Sequence, residues 1–253
     1  MVHFVGAGPG APDLITVRGA KLLGEADVVI YAGSLVNPEL LHLCREGCEI
    51  HNSAFLTLEQ VLAIVMQAEE QGKTTVRLHT GDPSVYGAIR EQMDALDKKG
   101  IPYDIVPGVS SFCAAAASAR AEYTLPGVSQ SVILTRMAGR TPVPEREAIA
   151  SLAAHGASMA VFLSAGMLSA LQEELLKGAY TKDTPACIVY KASWPEEKVL
   201  PCTVGSLAAT GQKNGVEKTA LILVGAFLNS SFDRSCLYDP AFSTGFREKE
   251  STE

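Results

Sequence analysis

Through residue 108 the chain alternates between two hydrophobic rhythms, and no other feature restricts its folding as much. Runs with strand character (VHFVGA, DVVIYAG, TTVRLHTG and YDIVPG) are separated by stretches of helical periodicity at Thr16 to Glu25, Thr57 to Gln71 and Ala88 to Lys99. Such an order buries every apolar face most simply when the strands lie parallel and the helices pack on the sheet. Local chemistry marks several boundaries. Thr57 and Gln60 are spaced for a capping box, Val61, Ile64, Val65 and Ala68 form one apolar stripe, and Gly72 and Gly100 stand where helices would end. The expected fold class is α/β.

An alanine-rich helix after PGVSSF gives way to a loop at Pro126 and Gly127, which suggests two domains, 1–118 and 119–253. A second alternation follows, with strands expected at SVILT, SMAVFLSA, PACIVYKA, KVLPCTV and TALILVGAFL. Helices are expected at Glu145 to His155, Leu168 to Lys177 and Ser206 to Thr210, and the final REKESTE reads as a solvated tail.

Composition narrows the function. The net charge of −7 argues against a nucleic-acid surface, so an anionic ligand would be met by local cations. No apolar run reaches the roughly 18 residues of a spanning helix, and no basic-then-apolar leader precedes Gly6, which predicts a cytoplasmic protein without a membrane partner. Cys44 and Cys48 form the one close cysteine pair; without a second pair, the six cysteines read as reduced, mostly buried thiols rather than metal ligands. The histidines at 3, 42, 51, 79 and 155 show no paired metal spacing.

Three loops carry the remaining signal. Gly6, Gly8 and Gly10 follow the first strand, but as G-x-G-x-G with Pro9 among them, and the second strand ends at Tyr31 instead of an acidic residue. A dinucleotide site needs G-x-G-x-x-G opening into a helix, and that acid. The loop is thus a tight turn, or bare backbone that a planar ligand approaches. RLHTGDPSVYGAI holds Thr80, Gly81 and Asp82, with His79 beside them as a cleft residue or as a packed or solvated one. VPGVSSF places Ser110 and Ser111 where they cap a helix or touch a ligand. Phe112 rules out a hydrolase elbow, which needs a small residue there.

Taken together, VGAGPGAPDLITVRGAKLLGEADVVIYAGSLV, RLHTGDPSVYGAI and IPYDIVPGVSSF resemble the tetrapyrrole methylase family across nearly the whole chain. YTLPGVSQSVILTR, VYKASWPEEKV, KTALILVG and FDRSCLYDPAF narrow the resemblance to the branch acting on carbon 11 of precorrin-4 or cobalt-precorrin-4 in cobalamin biosynthesis. The resemblance implies two α/β domains with a cleft between them for S-adenosylmethionine, a precorrin-type substrate and a homodimer. It places cofactor contacts at Pro9, Thr80, Gly81, Asp82, Val85, Ser110 and Ser111, then at Leu163, Ser164, Ala165, Ala192, Thr219, Ala220 and Leu221. The glycine loop, with Gly8 and Gly10, would face the tetrapyrrole, alongside His79. Arg18, Arg136 and Arg140 are the candidates for its carboxylates, with Arg90 and Arg120 further possibilities by position. The loop TRMAGRTPVPERE is expected to close over the ring. Ala11 stands where many relatives have Asp, and HTGDP replaces their GGDP or SGDP. No catalytic base or resident metal is implied.

Overall fold

The computed structural model describes residues 1–229 and 231–248. The chain divides into two compact units, Met1–Ala115 with Lys191–Glu197, and Ala116–Tyr190 with Lys198–Glu253. The short segment 191–197, which lies in the second half of the sequence, therefore packs with the first unit.

In the first unit the strands are β1 (Val2–Gly6), β2 (Val28–Tyr31), β3 (Glu49–Asn52), β4 (Thr75–His79) and β5 (Tyr103–Val106), with helices α1 (Val17–Glu25), α2 (Leu58–Glu70) and α3 (Arg90–Lys99). All strand pairs are parallel, in the order β3-β2-β4-β1-β5. One face of the sheet buries Val5, Val29, Val76, Leu78 and Val106 with Leu23 of α1; the other buries Val2, Phe4, Val28 and Ile30 with Val61, Val65 and Leu96 of α2 and α3. Burial on both faces is why these strands read as continuous apolar runs. Each fully buried aliphatic side chain contributes roughly 1.5–3 kcal/mol. The capping box forms as expected: Gln60 N donates to Thr57 Oγ1 at 3.4 Å, and Thr57 N donates to Gln60 Oε1 at 2.8 Å. α3 begins two residues later than its apolar pattern suggests because Ala88 sits at φ 50°. β3 has no counterpart in the hydrophobic pattern. Its residues, Glu-Ile-His-Asn, form an edge strand with a largely exposed, polar face, so no alternation betrays it.

The second unit contains β6 (Val132–Arg136), α5 (Ile149–Ala153), β7 (Ser158–Phe162), α6 (Leu168–Leu175), β8 (Pro185–Tyr190), β9 (Lys198–Thr203), α7 (Leu207–Lys213) and β10 (Ala220–Val224). α4 (Ser111–Ala119) starts in the first unit and ends in this one. The sheet order is β6-β7-β10-β8-β9; β6 and β7 pair in parallel and the other pairs are antiparallel. Met159, Val161, Leu171, Leu175, Ile188, Leu207 and Ile222 anchor its core. Three strands are shorter than their apolar runs, each bounded by positive φ. β7 ends before Leu163 (52°), β8 before Lys191 (47°), and β10 starts after Thr219 (55°) and ends before Gly225 (140°). That conformation breaks the extended ladder. The helix expected over 145–155 is a 3-10 turn at Glu145–Glu147 followed by the short α5.

Among the cysteines only Cys187 is buried; Cys113 and Cys236 are exposed, and all six are free, so the expectation of mostly buried thiols is corrected. Of the tail REKESTE, residues 249–253 lie outside the described residues, whereas Arg247 is held by its guanidinium, which donates to the carbonyls of Asp239 (2.6 Å) and Leu237 (3.2 Å). No helix among the described residues is long and apolar enough to cross a membrane.

Candidate functional site

The carboxyl ends of β1, β4 and β5 converge in the first unit, and glycine makes that convergence possible. A Cβ on Gly6 would lie 2.6 Å from Gly108 Cα and 2.7 Å from Gly81 O, so three strand ends meet backbone to backbone. The glycine loop then pairs with the next one. Ala7 N donates to His79 O at 2.7 Å, and Gly8 and Gly81 form an isolated antiparallel bridge, with Gly81 N donating to Gly8 O at 2.8 Å and Gly8 N to Gly81 O at 3.3 Å. Gly8 needs its φ of 79° to make that turn. Beyond it, Asn37 Nδ2 donates to Gly10 O at 2.9 Å and Ala11 N donates to Ser193 Oγ at 3.0 Å.

These bonds dispose of the pyrophosphate reading on physical grounds. The amides of Ala7, Gly8 and Ala11 already donate within the unit, Pro9 has none, and α1 starts only at Val17. A phosphate cradle requires free amides at a helix N-terminus.

Asp82 braces the second loop against the third. Its Oδ2 accepts from Gly108 N at 2.8 Å, and its Oδ1 accepts from Ser84 N at 2.8 Å and from the Ser84 hydroxyl. Burial alone would push the carboxyl up, but the hydrogen bonds from Ser84 and Gly108 outweigh it and hold the group below its ordinary value. The charged form is therefore the one that stabilises the fold. Asp82→Ala is expected to cost about 1.5–3 kcal/mol at neutral pH, the range for hydrogen bonds to a charged group. Because the folded carboxyl titrates lower than the unfolded one, the deficit should shrink as pH falls through the carboxylate range. Urea denaturation of both proteins at several pH values checks this; a deficit independent of pH refutes it.

Around that brace Thr80, Val85 and Ser111 are half-buried, while Ser110 is buried and its carbonyl accepts from Cys113 N (3.0 Å) and Ala114 N (3.3 Å) to open α4. Arg77 and His79 project from β4 into the unit. Arg77 is 8% exposed and its guanidinium donates to Gln92 Oε1 (3.2 Å), Ile30 O (3.0 Å) and Ser53 Oγ (3.0 Å), all uncharged, and burial lowers it to about 10. His79 is 4% exposed, its ring centroid lies 6.0 Å from that of Phe4, and its Nε2 has no hydrogen-bond partner. Burial, and then the Arg77 charge, lower it to about 3, so the imidazole is neutral. The ring is thus packed beside Phe4.

In the second unit, Leu163 is exposed at the end of β7 and Ser164 is fully buried. The Ser164 hydroxyl donates to Phe162 O at 2.7 Å and accepts from Met137 N at 2.9 Å, and its carbonyl accepts from Met167 N at 2.9 Å. Ala165 is buried at the start of a 3-10 turn; Thr219 and Ala220 are half-buried, and Leu221 is buried in β10. Arg136 donates from Nη1 to Met137 O and Thr141 O (both 3.1 Å) and from Nη2 to Pro142 O (2.7 Å), which fastens the loop after β6 onto its own strand. Arg18, Arg120 and Arg140 are exposed, whereas Arg90 is paired with Asp94 at 2.6 Å. Ala192 is buried in segment 191–197 of the first unit. Asn37, Ser193 and Trp194 are the residues of this neighbourhood that sequence reasoning missed. Asn37 shows in sequence only as a cap before Pro38, and the lone tryptophan gives no sign of its partner.

The comparisons with known proteins agree with this architecture. The family model described as Tetrapyrrole (Corrin/Porphyrin) Methylases matches residues 1–208. A cobalt-precorrin-4 C(11)-methyltransferase of Methanocaldococcus jannaschii is 51% identical over 98% of this chain and 96% of its own length. Among solved structures, a cobalt precorrin-4 methyltransferase, a cobalamin biosynthetic enzyme, superposes with a TM-score of 0.89 at 47% identity, covering 90% of this chain and 96% of that one. A uroporphyrin-III C-methyltransferase from Thermus thermophilus, complexed with S-adenosylhomocysteine, gives a TM-score of 0.73 at 28% identity over 90% of this chain and 93% of its own. With the family model covering most of the sequence and the two-sheet architecture shared, the chain belongs to the tetrapyrrole methylase family.

Proposed function

We propose that the chain transfers a methyl group from S-adenosylmethionine to carbon 11 of precorrin-4 or cobalt-precorrin-4, a step of cobalamin biosynthesis. The observation that carries this is the similarity to the Methanocaldococcus enzyme along almost the full length of both chains. Any cobalt arrives with the substrate; among the described residues no group of three or more His, Cys, Asp or Glu is placed to hold a metal ion.

The residues present suit a cofactor bound mainly by backbone. Gly81 carries no side chain, and Leu163 and Thr219 are held at positive φ, which turns their peptide groups out of the strand ladder where a ligand meets them. On this reading Pro9, Thr80, Gly81, Val85, Ser110, Ser111 and Ala192 contribute from the first unit, and Leu163, Ser164, Ala165, Thr219, Ala220 and Leu221 from the second. Asp82 serves by fixing its loop. S-adenosylmethionine supplies an electrophilic methyl group on a sulfonium. What the chain must then provide is alignment, which is worth roughly 7–11 kcal/mol, against about 3–5 kcal/mol for one proton-transfer group. No catalytic triad is needed. Arg18 and Arg140 are exposed cations suited to substrate carboxylates, and Arg136 acts by holding the loop that carries Arg140. A cytoplasmic homodimer accords with this biosynthetic role.

Incubation with S-adenosylmethionine and, separately, precorrin-4, cobalt-precorrin-4 and uroporphyrinogen III tests the assignment by mass spectrometry and NMR. A single added methyl at carbon 11 of either precorrin is the expected product. Methylation of uroporphyrinogen III alone, or of another ring position, would overturn it.

A further inference from the structure

Each glycine of the first loop has a different physical cause, and the third points to a residue outside the loop. A Cβ on Gly10 would run into the indole of Trp194. That indole donates its Nε1–H to Pro9 O at 3.0 Å, and the preceding Ser193 accepts from Ala11 N at 3.0 Å, so the segment grips the chain on both sides of Gly10. The three loop residues have almost no side-chain atoms with which to anchor themselves. After the bridge from Gly8 to Gly81, the hold comes from Asn37, Ser193 and Trp194.

The gripping segment is itself rigidly built. Lys191 and Ser193 sit at φ 47° and 69°, Trp194 N donates to Lys191 O at 3.0 Å, Glu197 N donates to Trp194 O at 3.0 Å, and Ser193 N donates to Glu197 Oε2 at 2.6 Å. The Lys191 ammonium lies 5.5 Å from the indole centroid and 3.4 Å from Glu196 Oε2. Two L-residues in a left-handed conformation within three positions persist only where the surroundings over-determine them, and such strain concentrates where a side chain must be held in one place.

Resting on the reading of the glycine loop as the tetrapyrrole side of this enzyme, we infer that Trp194 is a positioning residue for the substrate: it fixes Pro9 and Gly10 where the macrocycle meets bare backbone. Gly10 is a glycine for the sake of the indole. A shift of the loop by about 1 Å would misplace the reacting carbon, an error that costs up to roughly a hundredfold in rate.

Trp194 is the only tryptophan of the chain, so intrinsic fluorescence reads this contact alone. In Gly10→Ala the added methyl should displace the indole, giving a red-shifted emission that acrylamide quenches more readily than in the natural protein. The KM for the precorrin should rise about tenfold or more. Trp194→Phe keeps a ring but loses the N–H, and should raise KM by about two- to tenfold, the range of one hydrogen bond. In Trp194→Ala the methyl on residue 10 has room, so the thermal destabilisation caused by Gly10→Ala should be smaller in that background, the non-additivity expected of residues in contact. Unchanged emission in Gly10→Ala, or strictly additive stability effects, would overturn the inference. Emission and stability coupling need no turnover, so they judge Trp194 even if the natural protein methylates neither precorrin, a result that would refute the proposed function alone.

Discussion

Gly6→Ala is expected to destabilise the first unit by about 3 kcal/mol or more, the upper end of what overpacking a filled site costs. The Cβ it introduces would stand 2.6 Å from both N and Cα of Gly108 and 2.7 Å from Gly81 O. None of these atoms ends a flexible side chain, so relief requires moving the carboxyl end of β4 or β5. Those ends are tied by the Gly8–Gly81 bridge and by the Asp82 carboxylate on Gly108 N. Gly81→Ala makes the control. Its Cβ would approach nothing closer than 3.6 Å, but its φ of 60° is left-handed, so the cost should stay near 1–2 kcal/mol from backbone conformation. Urea denaturation of both variants should therefore rank Gly6→Ala well below Gly81→Ala in stability. Equal losses would mean that the strand ends part more easily than their contacts imply.

The same contrast explains how much of the molecule could be read from its residues. The parallel sheet was legible because strands buried on both faces leave unbroken runs such as Val28, Val29 and Ile30, and because Thr57 and Gln60 state where a helix begins. That the glycine loop is no dinucleotide site was legible from its spacing. What held it was not, since an amide donating to Gly81 O or Ser193 Oγ leaves no mark on hydrophobic periodicity. The overruns past β7 and β8 and the late start of β10 share a cause. Leu163, Lys191 and Thr219 adopt positive φ, a conformation expected of glycine or asparagine, and nothing in a leucine, lysine or threonine announces it, whereas β10 ends before Gly225. Leu163 and Thr219 are also positions that the family resemblance gives to the cofactor, so local propensity fails where the proposed site needs an unusual backbone. The edge strand β3 escaped for a simpler reason: Glu49 to Asn52 bury too little to carry a pattern.

His79 offers the second large effect, and it is a dependence on pH. Burial, followed by the nearby Arg77 charge, lowers the imidazole from 6.5 to about 3, and its Nε2 has no partner to compensate. Above pH 6.5 the ring is neutral in folded and unfolded chains alike and stability does not depend on it. As pH falls from 6.5 toward 3 the unfolded chain takes up a proton that the folded chain refuses, so stability is lost by at most about 1.4 kcal/mol per pH unit. Below the folded value the loss levels off. His79→Leu should change stability at neutral pH by less than about 1.5 kcal/mol, because an apolar side chain of similar volume suits a site beside Phe4 and removes an unsatisfied nitrogen. At pH 4 the variant should be the more stable of the two, by about 3 kcal/mol at most. Denaturation midpoints measured from pH 4 to pH 8 decide the matter, with parallel curves for the two proteins refuting the account. Turnover of the same variant addresses the substrate contact that the family resemblance gives to this histidine. A ring touching the macrocycle would cut kcat/KM sharply at pH 8, where its charge is irrelevant, whereas a ring that only fills the space behind Thr80 to Asp82 would leave kcat/KM within a few-fold while still abolishing the acid dependence.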